Sequence, residues 1–183
     1  MSAGSDRRRA EAAQPASTGG VNPSGQTTGL FDDLRDLYQE VILDHGRKPR
    51  NFRRLDDATA TARGDNPMCG DRIELFVKQA PDGTIAEAAF QGRGCAISTA
   101  SASLMTETVT GKTAEQARAL GAAFRELAMT GTCPDCGAAL ADDMERLAPL
   151  SGVHEFPSRV KCATLAWHTL NAALDGAQEA SSE

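Results

Sequence analysis

Aromatic side chains are scarce in this chain. Phe, Tyr and Trp make up 4% of its 183 residues, so the core has to be built from Leu, Ile, Val and Ala. Positive charge is also in deficit. The formal net charge is −6 and the pI is about 5.1, which argues against nucleic acid as a partner, because a phosphate-binding surface needs a basic field. No apolar run of membrane-spanning length exists, and no membrane association is expected. Arg7, Arg8 and Arg9 are not followed by an apolar stretch, so a secretory signal is not expected and the cytoplasm is the expected location. Five cysteines is an odd number, and without export they read as thiols or metal ligands rather than as a disulfide framework. The length fits one domain with one core.

Residues 1–29 are rich in Ser, Gly, Ala, Pro and Thr and carry almost no apolar side chain before Leu30. They read as a disordered tail. The folded domain is expected over residues 30–176, with 177–183 loose. Leu34, Leu37, Tyr38, Val41 and Ile42 recur at helical spacing and predict an opening helix with one apolar face. Asp32 and Asp33 suit its start; Gly46 and Pro49 end it. The stretch ATATARG predicts a strand, and RIELFVKQ and TIAEAAFQG, joined by APDG, predict a hairpin. Beyond them the period becomes helical. Thr113 and Gln116 have capping-box spacing, ALADDMERLAPL reads as a short helix, and SRVKCATLAWHTLNAALDG as a longer one closed by Gly176. The fold class is α+β: an N-terminal helix, a small three-stranded antiparallel sheet, then a layer of helices on one face.

The chemistry is expected at the cysteines. Cys69 and Asp71 flank Gly70 in NPMCGD. In a turn both side chains can converge on one point, and a thiolate with a carboxylate is half of a tetrahedral zinc site; ordinary turn chemistry is the other reading. Cys95 lies in GRGCAIS. Gly92 and Gly94 loosen the backbone there, Ser98 or Thr99 suits the cap of the following helix, and a thiol near a helix N-terminus favours its thiolate. A plain corner residue is the alternative. Cys162 lies on the last helix between Arg159, Lys161 and apolar neighbours. It is either a small core residue or a thiolate supported by those cations.

Four ordered segments carry a resemblance: LYQEVILDHGRKPRN, NPMCGDRI, GRGCAISTASASLM and FPSRVKCATLAW. Together the chain resembles the NifU/IscU-like iron–sulfur cluster assembly family over roughly residues 31–176. Lys161 stands where the IscU branch has a histidine ligand, and the segment before FPSRVKC is long, with an insertion at about residues 129–152. Both features are similar to the SUF-type (SufU-like) branch. The resemblance implies a zinc held by Cys69, Asp71, Cys95 and Cys162. It implies a sulfurtransferase that accepts persulfide sulfur on Cys69 from a SufS-type cysteine desulfurase and passes it toward a SufBCD-type scaffold.

Physical chemistry agrees with that division of labour. A nucleophile that must reach a partner belongs on a loop. Zinc keeps thiols deprotonated, is redox-silent and tolerates ligand exchange, and a freed thiolate attacks a persulfide as in thiol–disulfide exchange. Arg159, close by, would steer the persulfide or screen charge. Two alternatives stay open. One is a scaffold that binds iron or an iron–sulfur cluster on the same residues, which Lys161 disfavours. The other is a non-catalytic zinc-stabilised binding module, which the loop position of Cys69 disfavours. Cys133 and Cys136 form a C-x-x-C with no second half to complete a zinc site and no thioredoxin-like surroundings. Half a metal site, a redox pair, a bridge between subunits and a dispensable loop all remain readings of it. His45, His154 and His168 are not expected as ligands.

Overall fold

The computed structural model describes residues 25–133 and 136–181. Of the expected disordered tail at residues 1–29, residues 1–24 lie outside the described residues, and 25–29 are helical, at the start of the first helix. Helix α1 spans Gly25–Arg47. It is followed by strands β1 (Ala60–Asn66), β2 (Asp71–Gln79) and β3 (Ile85–Arg93). Helices α2 (Ala96–Val109), α3 (Ala114–Thr130), α4 (Ala141–Leu147) and α5 (Pro157–Leu174) come next, with 3-10 turns at Ala138–Leu140 and Ala148–Glu155. Strand β4 (Glu179–Ser181) closes the order. Among the described residues no helix is long and apolar enough to cross a membrane.

The α+β architecture is as expected, but the sheet has four strands in the order β3-β2-β1-β4. β1–β2 and β2–β3 are antiparallel. β4 lies parallel to β1, with Arg63 opposite Glu179, so the expected loose C-terminus is corrected from Glu179 to Ser181. The reason is tertiary. The end of α5 delivers the chain to the free edge of β1, where the Arg63 N–H donates to Gln178 O at 2.8 Å. A sheet edge offers unpaired backbone groups whatever the local propensity of the arriving segment.

Alternation along β2 sends Ile73, Leu75 and Val77 into the main core. Phe76 points to the opposite face, against Leu55 and Ala89. The helices cover the first face, with α5 running across β1 and β2, and α2 beside it. Gly64 on β1 permits that crossing. A Cβ there would lie 2.0 Å from Thr169 Oγ1 of α5. The few aromatics are concentrated: Phe124 and Trp167 stack at 4.9 Å between α3 and α5.

Two expectations about helix ends are corrected. α1 begins at Gly25, ahead of Asp32 and Asp33, since extending a formed helix through weak formers costs far less than nucleating one. Its apolar face is only partly covered, with Leu34 at 41% and Leu37 at 53% exposure. The cap of α2 is neither Ser98 nor Thr99. Cys95 itself is the N-cap, its side chain accepting from the Ser98 N–H. The capping box of α3 forms as expected between Thr113 and Gln116.

Candidate metal centre

The loop between β1 and β2 is closed by the register pair Asn66 and Asp71. Within it the Gly70 N–H donates to Asn66 O at 2.8 Å, and Gly70 has φ +71°, a conformation that favours glycine. The Met68 N–H donates to Asn66 Oδ1 at 3.2 Å, an Asx-type turn. These bonds put Cys69 at the exposed tip and Asp71 at the buried base, 3% exposed.

Helix α5 brings Cys162, 1% exposed, under that tip. Its Sγ lies 3.2 Å from Cys69 Sγ. One ligand atom each from Cys69, Asp71 and Cys162 lies within 4.8 Å of the others. The carboxylate of Asp71 is split in its duties. Oδ1 accepts from the Cys95 N–H at 3.0 Å, whereas Oδ2 is buried with no partner. Gly94 makes room for this arrangement by lacking a side chain, since a Cβ there would lie 3.2 Å from Asp71 Cγ. Its role is close approach rather than a left-handed conformation.

Cys95 is brought to the same corner through its backbone. Its Sγ accepts from the Ser98 N–H at 3.4 Å and stands outside the mutually close set. The capping bond explains this, because it holds the sulfur over the start of α2. Burial pushes the Cys162 thiol far up from its ordinary range, and Cys69, Asp71 and Cys95 push it further the same way. A buried thiol surrounded by other acceptors and a carboxylate resists ionisation until a cation supplies the missing positive charge. The donor set therefore fits a thiophilic divalent ion: two adjacent sulfurs, a third at the edge, and a buried carboxylate oxygen with nothing to accept from.

The other residues singled out in the sequence lie outside this donor set. Arg159 is exposed, one turn ahead of Cys162, and lines a groove with Tyr38, Ile97 and Phe156. The Lys161 ammonium reaches the thioether of Met68 at 3.6 Å, so the cation before Cys162 touches the Cys69 loop. Cys133 and Cys136 are joined in a disulfide, which corrects, for these two, the expectation of thiols or metal ligands. Their Cα atoms are 5.5 Å apart, within the span of such a bridge. His45 is buried against Ser103, with Nδ1 and Oγ 2.8 Å apart. His154 is exposed and bonded to Ser151 O.

One contributor was missed in the sequence. Asn66, 1% exposed, also donates from Nδ2 to Cys162 Sγ at 3.7 Å. An Asn before Pro at a strand end is a turn signal, but its reach to a residue on α5 is invisible in one dimension.

Comparison with known proteins decides the family. The model of the NifU-like N terminal domain matches residues 37–179. The chain belongs to this family. The zinc-dependent sulfurtransferase SufU of Bacillus subtilis (strain 168) is 44% identical over 139 residues, covering 75% of this chain and 89% of that protein. The iron–sulfur cluster assembly scaffold protein IscU of Streptococcus pyogenes serotype M1 is 41% identical over 141 residues, covering 77% and 84%. Among solved structures, one described as an iron–sulfur cluster assembly scaffold protein for the SUF system (SufU) of Fervidobacterium islandicum AW-1 superposes with a TM-score of 0.67 at 30% identity, covering 76% of this chain and 98% of that one. The family expected from the four sequence segments is the one observed, and so is the α+β fold.

Proposed function

We propose that this protein is a zinc-dependent sulfurtransferase of SUF-type iron–sulfur cluster assembly, working in the cytoplasm. Cys69, Asp71, Cys95 and Cys162 hold the metal, and Cys69 accepts the sulfur. The observation that carries the reading is the orphaned Asp71 Oδ2, buried beside the Cys69 and Cys162 sulfurs. A purely structural turn has no use for an unpartnered buried carboxylate oxygen, whose desolvation is costly. The likeness to the B. subtilis sulfurtransferase supports the choice of zinc. Bound there, zinc would hold the thiols deprotonated near neutral pH without redox chemistry of its own.

The residues then divide the work by burial. Cys162 and Asp71 are buried and hold. Cys69 is exposed and is able to enter a partner's active site. The partner is a SufS-type cysteine desulfurase carrying a cysteine persulfide. Cys69 Sγ bonds to the terminal sulfur of that persulfide. The donor's sulfur–sulfur bond breaks, and its electron pair leaves on the donor cysteine. One sulfur–sulfur bond replaces another, so no external oxidant or reductant is needed. The persulfide on Cys69 is then handed to a SufBCD-type scaffold. Arg159, exposed one turn before Cys162, offers a cation to the incoming anionic group. The likeness to an IscU scaffold supports a second reading, in which the same donors take iron and a nascent cluster as cargo.

The test is sulfide release by a SufS-type desulfurase with zinc-loaded protein added, comparing wild type with Cys69→Ala. Strong stimulation that disappears in the variant is expected. Folded, zinc-loaded wild type that gives no stimulation would overturn the transfer reading. Reconstitution with iron and sulfide then decides whether the chain is a scaffold.

A further inference from the structure

Two sulfurs 3.2 Å apart, Cys69 Sγ and Cys162 Sγ, have to behave differently if one is to react and the other is to stay. We propose that Asn66 is the positioning residue that sets this difference: its carboxamide oxygen holds the Cys69 loop, and its NH2 group donates to Cys162 Sγ and keeps that sulfur in place. The inference rests on the zinc-site reading above and adds a determinant that is not itself a ligand.

The geometry is specific. The Asn66 side chain is fully enclosed, 1% exposed, and both of its polar ends are used. Oδ1 accepts from the Met68 N–H at 3.2 Å, and Nδ2 donates to Cys162 Sγ at 3.7 Å. The amide orientation follows from chemistry. Met68 presents a backbone N–H, which only the oxygen can accept, so the NH2 end must face the sulfur. A flipped amide would set donor against donor and oxygen against thiolate. The backbone carbonyl of Asn66 adds a third tie, accepting from the Gly70 N–H at 2.8 Å. One residue therefore brackets Cys69 on both sides in sequence and bonds the sulfur contributed by α5.

The consequence is a division between the sulfurs. A hydrogen bond donated to a thiolate is charge-assisted. It draws electron density from the sulfur and makes it a poorer nucleophile. Outer-sphere donors of this kind orient a metal's ligands and tune the metal. Among the described residues Cys69 Sγ accepts from the Cys162 thiol at 3.2 Å, a bond that ends once both sulfurs are ionised; it receives no amide N–H, and it stands exposed. Cys69 is thus the more nucleophilic sulfur and also the one within reach, while Cys162 is restrained.

The test uses the full chain with zinc and, separately, with cobalt(II) as an optical probe of the same site. Asn66→Asp keeps an acceptor for the Met68 N–H and removes the donor to sulfur; Asn66→Ala removes both. Zinc affinity, read by competition with a chromophoric chelator, is expected to fall by about tenfold or more in Asn66→Asp. The thiolate-to-cobalt charge-transfer band should move to longer wavelength in both variants, because a sulfur without the N–H donor is easier to oxidise. Asn66→Asp with zinc affinity at or above wild type would overturn the proposal, as would an unshifted band in either folded variant. If only Asn66→Ala loses zinc, the residue acts through the turn alone and the sulfur bond is irrelevant. Wild type that binds no zinc defeats the site reading itself, an outcome separate from wild type and Asn66→Asp binding alike.

Discussion

The molecule has two cysteine-bearing segments of similar composition, the turn NPMCGD at residues 66–71 and CPDCG at 133–137. Each has Pro, Gly and Asp around its sulfur. In the first turn the thiol at the tip is met by Cys162 from α5, and the base carries a buried carboxylate oxygen with no partner. In the second, the two sulfurs satisfy each other in a disulfide, half-buried at the C-terminal end of α3. The Glu126 carboxylate lies 3.8 Å from Cys133 Sγ. The difference teaches that cysteine spacing does not make a metal site. What makes one is uncompensated acceptor capacity held in place by elements distant in sequence. Among the described residues the first has that deficit and the second does not.

The sharpest way to break the comparison is to remove the sulfurs. Cys69→Ala should abolish stimulation of a desulfurase, whereas a Cys133→Ser/Cys136→Ser double variant should stimulate like wild type and hold as much zinc. Loss of stimulation in the double variant would mean that the second turn takes part in transfer. The next effect comes from the packing beneath the first turn. Gly64→Ala puts a Cβ against Thr169 of α5 and should cost about 1–3 kcal/mol by overpacking. Because α5 carries Cys162, zinc affinity should fall with it. Urea unfolding beside a chelator titration checks both, and retention of full affinity would show that the site tolerates movement of α5.

Opening the disulfide should matter less. The closed loop is short, so the double variant should lose about 2 kcal/mol or less, read as a shift in urea midpoint against oxidised wild type. A larger loss would make that turn a structural staple. The smallest effect is on pH dependence. Burial, with Arg50 adding to it, holds His45 below the ordinary histidine value of 6.5. The unfolded chain then binds the proton more readily than the folded one. This contribution to stability is complete above 6.5 and is lost as pH falls through the lower folded value. Stability of wild type should decline over that window, and His45→Gln should flatten the decline. An equal slope in both would remove His45 as the cause and leave His168, likewise lowered by burial.

The elements legible in the sequence were those set by local rules. The run RIELFVKQ predicted a strand, and the capping box predicted the start of α3. Cys69 and Asp71 were legible as a pair because two residues around a glycine turn can converge on one point. Legibility failed where the deciding partner came from far away. β4 exists because α5 ends at an open edge. The sulfur of Cys95 caps α2 itself, which no tabulated cap preference indicates. Asn66 looked like a turn residue and is also a partner of α5.

By itself the sequence determined the family, the α+β order of elements and the identity of the candidate donors, since these depend on residue type and short spacing. Only the tertiary structure decided which donors meet. The crossing of α5 over Gly64 sets Cys162 beneath Cys69, and the corner before α2 takes one oxygen of Asp71 and leaves the other free. The physical reason is that an unsatisfied charge is a property of a volume of space, and residues 69 and 162 come to share one only through the packing of a helix on a sheet.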